Sequence, residues 1–512
     1  MAKPVSKGMK FLSIIIGALM GGFLWRCRGE GGFGSSWGLY GVGLVIILTI
    51  YIFYGKKQGM KYEFIPLGSF LTGLGVTGYA TVIEQTCGRL MSDTSYFFDD
   101  MPVVHKLFPS NGIQLEALPE YDMELAEAPI SVKSGFIIIL LMGFTFVPFF
   151  SFFVGSLFSK KEYGLQHYAI AVVIFFAVST IVKATIAHPI LQAINPEQVK
   201  YAFLSLKDRG YDYSSMFEAY MKNFLDRPWM QQFQFVENYY MSIEHISDVF
   251  GVFALIFYAA VVRKDIFTGV VSFLINLFTS ISTTALSLLI VAYRNTGFLS
   301  NVACPRSLAN GAGWAVWEFS TGAAVGFFTM LIIALMPNKY TAQTKADNEP
   351  LLKNNTASFA YNFVATVFIF GVMPLRAIFI RANKLLRNLE IIDEAELYGT
   401  IVCAIASVFF GIYIIRLFRN NILRLGDTPF RMDARKFSIT AFTGFTTMCC
   451  LVYFFLNHAC IVFLPYSKMT SLSAVWYQLT EPQYIDTTIM IITYIIFAIL
   501  WFPLRKKLIK EK

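Results

Sequence analysis

The residues best suited to chemistry are charged groups set inside or at the ends of apolar runs. "WRCRGEGGFGSSWG", residues 25–38, closes the first such run with Arg26, Arg28 and Glu30, then Gly31, Gly32 and Gly34, then Ser35, Ser36 and Trp37. The glycines free the backbone for a turn, and Ser35 and Ser36 are good caps for a helix beginning near Trp37. A helix start presents unpaired N–H groups and partial positive charge, so with two arginines beside it this stretch is a candidate anion site. The competing reading is a tight extracytoplasmic hairpin whose arginines pair with Glu30 or with lipid phosphates. No strand precedes the glycines, so a dinucleotide fingerprint is not indicated.

The second constellation is "NGAGWAVWEFSTGAAVG", residues 310–326. Trp314 and Glu318 are four apart and share a helix face, Trp317 stands beside them, and Gly322 and Gly326 form a GxxxG that admits a close neighbouring helix. An ionisable group inside a bilayer costs about 3 kcal/mol or more and usually faces a partner or a wet cavity. Glu318 is placed to take up a proton in coupled transport or to pair with Arg26 or Arg28; the plainer role is an interhelical hydrogen bond. The tryptophans suit stacking on a flat ligand, or simple packing. Glu84, Lys183 and Asp248 join the list as coupling or charge-pairing groups. With Arg26 and Arg28 they fall toward the outer half of the membrane, where one outward-facing cavity is expected to gather them.

Enzyme signals are thinner. Asp99 and Asp100 in "FFDDMP" have the chemistry to hold a divalent ion or act as base in a lipid-linked transferase, or are simply solvated. His188 and His245 flank a long loop and serve as acid or base if the fold brings them to Glu84 or Asp248. The five histidines lack HxxxH or HExxH spacing and the seven cysteines lack CxxC, so neither a metal site nor a cofactor is expected. No GxSxG elbow or Walker A loop occurs.

The elements that must position these groups follow from composition. The chain has 512 residues, 56% hydrophobic and 15% charged, with a net charge of +9. That balance places it in the membrane class. The basic residues cluster where apolar runs end, which is membrane topology rather than nucleic-acid recognition. Windows meeting or approaching the roughly 20 apolar residues of a spanning helix run over 11–25, 38–55, 64–86, 134–158, 167–187, 246–262, 266–292, 312–336, 359–380, 399–416, 438–464 and 486–504. The fold expected is therefore an all-α polytopic membrane protein of about twelve spans, forming a single integral membrane domain over 1–512. The first run lacks an A-x-A cleavage site and is read as a retained span. Lys3, Lys7, Lys10, Lys56, Lys57, Lys61, Lys160, Lys161, Arg263, Lys264, the 416–436 bases and the C-terminal RKKLIKEK alternate so that both termini are cytoplasmic. The basic segment from 375 disagrees; its apolar residues recur at helical spacing, which suits an amphipathic helix along the interface.

Two segments, 87–132 and 188–245, are long outer loops expected to form structured caps, and 337–358 is a linker-like cytoplasmic loop. The first functional reading is a transporter, proton-coupled in one form, for an anionic or polar solute. The second is a membrane transferase working at its outer face, and the third a receptor or structural subunit. Membrane lipids and a small anionic or polar solute are the expected partners, nucleic acid is not, and a homo-oligomer or membrane partner stays open. The expected setting is a bacterial-type plasma membrane.

Overall fold

The computed structural model describes residues 5–30, 37–55, 62–75, 132–224, 226, 234–296, 312–336, 355–376, 395–421, 434–454 and 485–510. Among them there are helices and no strand. In chain order they are α1 (Lys7–Glu30), α2 (Trp37–Ile50), α3 (Phe64–Gly73), α4 (Val132–Phe144), α5 (Pro148–Phe158), α6 (Leu165–Thr185), α7 (Ala187–Ile194), α8 (Pro196–Asp208), α9 (Met216–Lys222), α10 (Gln234–Phe257), α11 (Ile266–Thr296), α12 (Ala312–Leu335), α13 (Asn355–Val367), α14 (Ala395–Asn421), α15 (Ala434–Phe454) and α16 (Ile485–Lys510). Six of the described helical stretches are long and apolar enough to cross a membrane, or seven if the bent pair α4–α5 is one span. Shorter apolar helices cover Leu39–Gly55, Phe64–Gly73, Ala360–Arg376 and Ala404–Leu417.

One of the expected windows, 134–158, is broken. Pro148 lacks the N–H that a continuing helix needs, and its ring forces Val147 out of helical geometry (φ −133°, ψ 44°). The chain therefore stops at Phe144, crosses Thr145–Val147 and restarts with Pro148 at a bend of 40°. Another span starts much earlier than its hydropathy suggests. The stretch Val236–Val262 is one continuous helix, so Glu244, His245 and Asp248 share a single rod instead of straddling a loop boundary.

Before that rod, α7, α8 and α9 follow each other closely, each with a reason to begin where it does. Asn195 accepts from the Gln198 N–H ahead of Pro196, and Ser215 accepts from the Glu218 N–H. Both are side-chain caps on otherwise orphaned donors. These helices and the early turns of α10 bury their own cluster, with Leu191, Ala202, Leu206, Ala219, Tyr220 and Tyr239 inside. The main apolar core lies among α1, α2, α3, α5, α10, α11 and α12 and the later helices α15 and α16.

Candidate functional site

Among the described residues α1 and α12 pack with their backbones in direct contact, and glycines cause it. A Cβ built on Gly21 falls 2.5 Å from the Gly322 carbonyl oxygen, and one built on Gly17 falls 2.5 Å from Met330 Cγ. Only hydrogen fits at these positions, so the two backbones touch and the GxxxG of α12 finds its partner in α1. The helices run antiparallel. At one end the Lys10 ammonium donates to the Ala334 carbonyl at 2.6 Å, satisfying the last turn of α12. At the other end Arg26 Nη1 lies 2.5 Å from Glu318 Oε2, the two side chains 5% and 15% exposed. Sixteen residues of helix, roughly 24 Å of rise, separate Lys10 from Arg26.

A second charged group is built by α6 and α10. Lys183 Nζ lies 3.0 Å from Glu244 Oε1, which also accepts from the Tyr240 hydroxyl at 2.9 Å. Asp248, one turn further along α10, accepts from the Ser179 hydroxyl. Of the charges expected in one cavity, Arg26 pairs with Glu318, Lys183 pairs with Glu244 and Asp248 accepts from Ser179.

Between these stands the break in α4–α5. Thr145 Oγ1 donates to the Met142 carbonyl at 2.9 Å and lies 3.2 Å from His245 Nδ1. A hydroxyl has one proton, so toward the imidazole Thr145 is the acceptor and Nδ1 carries the hydrogen. That leaves Nε2 as a buried acceptor with no partner among the described residues.

The opposite wall of the break is a polar face that hydropathy averages away. Thr268, Ser272, Asn276, Thr279, Ser280, Thr283 and Ser287 recur at three- and four-residue spacing along α11, and all are buried. Ser272 meets Ser151 at 3.0 Å, Asn276 Nδ2 donates to Ser151 at 2.7 Å, Ser280 donates to the Leu140 carbonyl at 2.5 Å, and Trp317 Nε1 donates to Ser287 at 3.0 Å. The face begins at Asp265, which caps α11 through the Thr268 N–H at 3.2 Å. Its Oδ2 accepts from Ser159, Tyr163 and Thr268 hydroxyls at 2.6, 2.8 and 2.6 Å. Burial first, then the Asp265 carboxylate, pushes the Tyr163 phenol well above its ordinary pKa. The Arg263 guanidinium sits 5.3 Å from the centre of the Tyr163 ring. A buried polar line therefore runs from the Asp265 knot to the Trp317–Ser287 bond, one residue from Glu318.

Phe146 of the break stands edge-on to Trp317 at 6.4 Å and packs against Trp25 at 5.6 Å. His188 lies 2.6 Å from the Tyr239 hydroxyl and against Phe217, and burial lowers its pKa. The backbone of Arg28, Glu30, Trp37 and Trp314 is helical, while their side chains lie outside the described residues, as do Gly31, Gly32, Gly34, Ser35, Ser36, Glu84, Asp99 and Asp100. The 337–358 loop is described only from 355 onward, and the 87–132 segment only at its last residue. Glu244, Thr145 and the polar face of α11 were not singled out from sequence; the helical spacing of the hydroxyls was the available signal. Among the described residues no group of three metal-ligating side chains gathers.

No protein-family model, curated protein or solved structure matches the chain.

Proposed function

We propose that this chain is a polytopic membrane transporter that carries a small anionic or polar solute together with a proton, exchanging both at the Arg26–Glu318 pair. The carrying observation is that pair, with a separation of 2.5 Å and little exposure at the end of the glycine seam. Its energetics limit what it can do. Removing either charge alone takes from the other its 2.5 Å partner in a little-exposed site. Two occupancies keep the site neutral: guanidinium with carboxylate, or guanidinium with a bound anion beside a protonated Glu318. Passing between them takes up one proton and one anion, so a neutral load crosses the low-dielectric region and neither charge is stranded.

The broken helix supports the same reading. Non-helical backbone at membrane depth is tolerated where it lines a cavity or is buried in protein, and transporters use such breaks at their binding sites. In this reading all twelve apolar windows cross, the basic inner segments hold both termini in the cytoplasm, and the protein works in a bacterial-type plasma membrane.

The test is uptake into vesicles reconstituted with the full chain, with small organic and inorganic anions offered under an inward proton gradient. The expected result is accumulation of at least one anion that collapses when the gradient is dissipated. Failure of every anion to enter, or uptake indifferent to the gradient, rejects the proposal.

A further inference from the structure

Four wholly buried side chains beneath the Arg26–Glu318 pair carry atoms with no hydrogen-bond partner among the described residues. They are Asn276 Oδ1, Thr279 Oγ1 and Thr283 Oγ1 on α11 and Thr321 Oγ1 on α12. Register brings Thr283 and Thr321 to one level, with Thr279 one turn and Asn276 about two turns further along α11. Trp317 bonds Ser287, and Phe328 stacks on Phe278 at 4.9 Å, so α11 and α12 are antiparallel. Thr283 is one turn from Ser287 and Thr321 one turn from Trp317, on the same side of that bond. Thr321 also follows Glu318 by three residues, which puts the two on one helix face.

Across from them lies the helix that breaks. A Cβ built on Gly143 falls 3.2 Å from the Thr283 Cβ and 2.8 Å from the Ser280 Cα, so α4 presses its backbone against this part of α11. On the other side of the break, His245 adds a buried acceptor at Nε2. A buried hydroxyl or amide left unpaired forfeits much of a hydrogen bond. Lipid offers nothing to replace it. Thr283 and Thr321 thus offer two neighbouring hydroxyls that donate or accept, an uncharged pair suited to an O–H or N–H donor.

We propose that this junction binds the hydrogen-bonding end of a small organic acid whose acid group is held by Arg26, an inference that rests on the transporter reading. The spacing defines the solute. Three residues of helix, a rise of about 4.5 Å, separate the level of Glu318 from that of Thr321. A hydroxyl or amino group must therefore stand about 5 Å from the acid carbon, as in a four-carbon acid substituted at its far end.

The experiment compares butyrate, 4-hydroxybutyrate and 4-aminobutyrate for binding to the reconstituted full-length protein. The expected result is that at least one substituted acid binds about tenfold tighter than butyrate, the worth of one or two hydrogen bonds. Thr283→Val and Thr321→Val remove hydroxyls without changing shape, and each is expected to reduce that preference. Thr321→Ser is expected to retain it. Equal affinity for the three acids in the wild-type protein, or a preference that survives both valine substitutions, overturns the inference and leaves the Arg26–Glu318 reading standing. Binding of none of the three also overturns it; only if no other anion is taken up either does the transporter reading fall as well.

Discussion

The Arg26 guanidinium and the Glu318 carboxylate meet at 2.5 Å where α1 and α12 emerge from their glycine contact. They pair directly in a little-exposed site, so they are expected to fail singly and tolerate joint removal. Arg26→Met or Glu318→Met should each lower stability by about 3–5 kcal/mol, and the double variant should recover most of that loss. Thermal unfolding of the detergent-solubilised protein reads this directly. Single variants as stable as the wild type would show that the charges do not depend on each other.

The seam itself is tested at Gly21. A side chain there meets the Gly322 carbonyl at 2.5 Å, and no rotamer relieves a clash made by Cβ. Gly21→Val is expected to cost about 3 kcal/mol. Gly8 lies on the same helix with nothing within 4 Å of a built Cβ, so Gly8→Ala should raise stability by about 0.5–1 kcal/mol through helix propensity. Equal responses at the two positions would contradict the packing account.

Much of this site was legible from composition, for particular reasons. Arg26 and Glu318 stand out because charge inside an apolar run is costly, and the spacing of Gly322 and Gly326 announces a close neighbour. That the neighbour is α1 was not legible, since 292 residues separate the ion-paired side chains and only the fold joins them. Glu244 was missed because the amphipathic start of α10, "QFVENYYMSIEH", depresses hydropathy and looks like loop. The α11 face was missed because Ser and Thr are nearly neutral in a hydropathy average. The break at Thr145–Val147 hinged on one residue, Pro148, in a window otherwise apolar enough to span.

The Asp265 knot predicts alkaline behaviour. With the Tyr163 phenol raised by burial and by Asp265, its contribution to stability is complete below the ordinary tyrosine value of 10.0 and is lost as pH rises beyond it. Stability followed from pH 8 to pH 12 should therefore fall less steeply in Tyr163→Phe than in the wild type. Identical slopes would remove Tyr163 from the knot's energetics.

An acid counterpart lies in α9. Glu218 is held at about 2, below its ordinary 4.5, by the hydrogen bond from Lys222 and then by the Ser214 hydroxyl and N–H. A depressed carboxyl supports the folded state above its ordinary pKa and loses that support as pH falls toward the lowered one. Hydrogen-exchange protection of residues 216–222 should therefore decline between pH 4.5 and pH 2 in the wild type and stay flat in Glu218→Gln. Equal declines in both proteins would assign the loss elsewhere.

The central claim is that Glu318 accepts the proton that frees Arg26 for an anion. Its most direct test is anion uptake by Glu318→Gln in vesicles, measured with and without an inward proton gradient. The account predicts that the variant still binds and exchanges the anion, because its Arg26 no longer faces the Glu318 carboxylate, yet no longer accumulates it in response to the gradient. Gradient-driven accumulation equal to that of the wild type would contradict it.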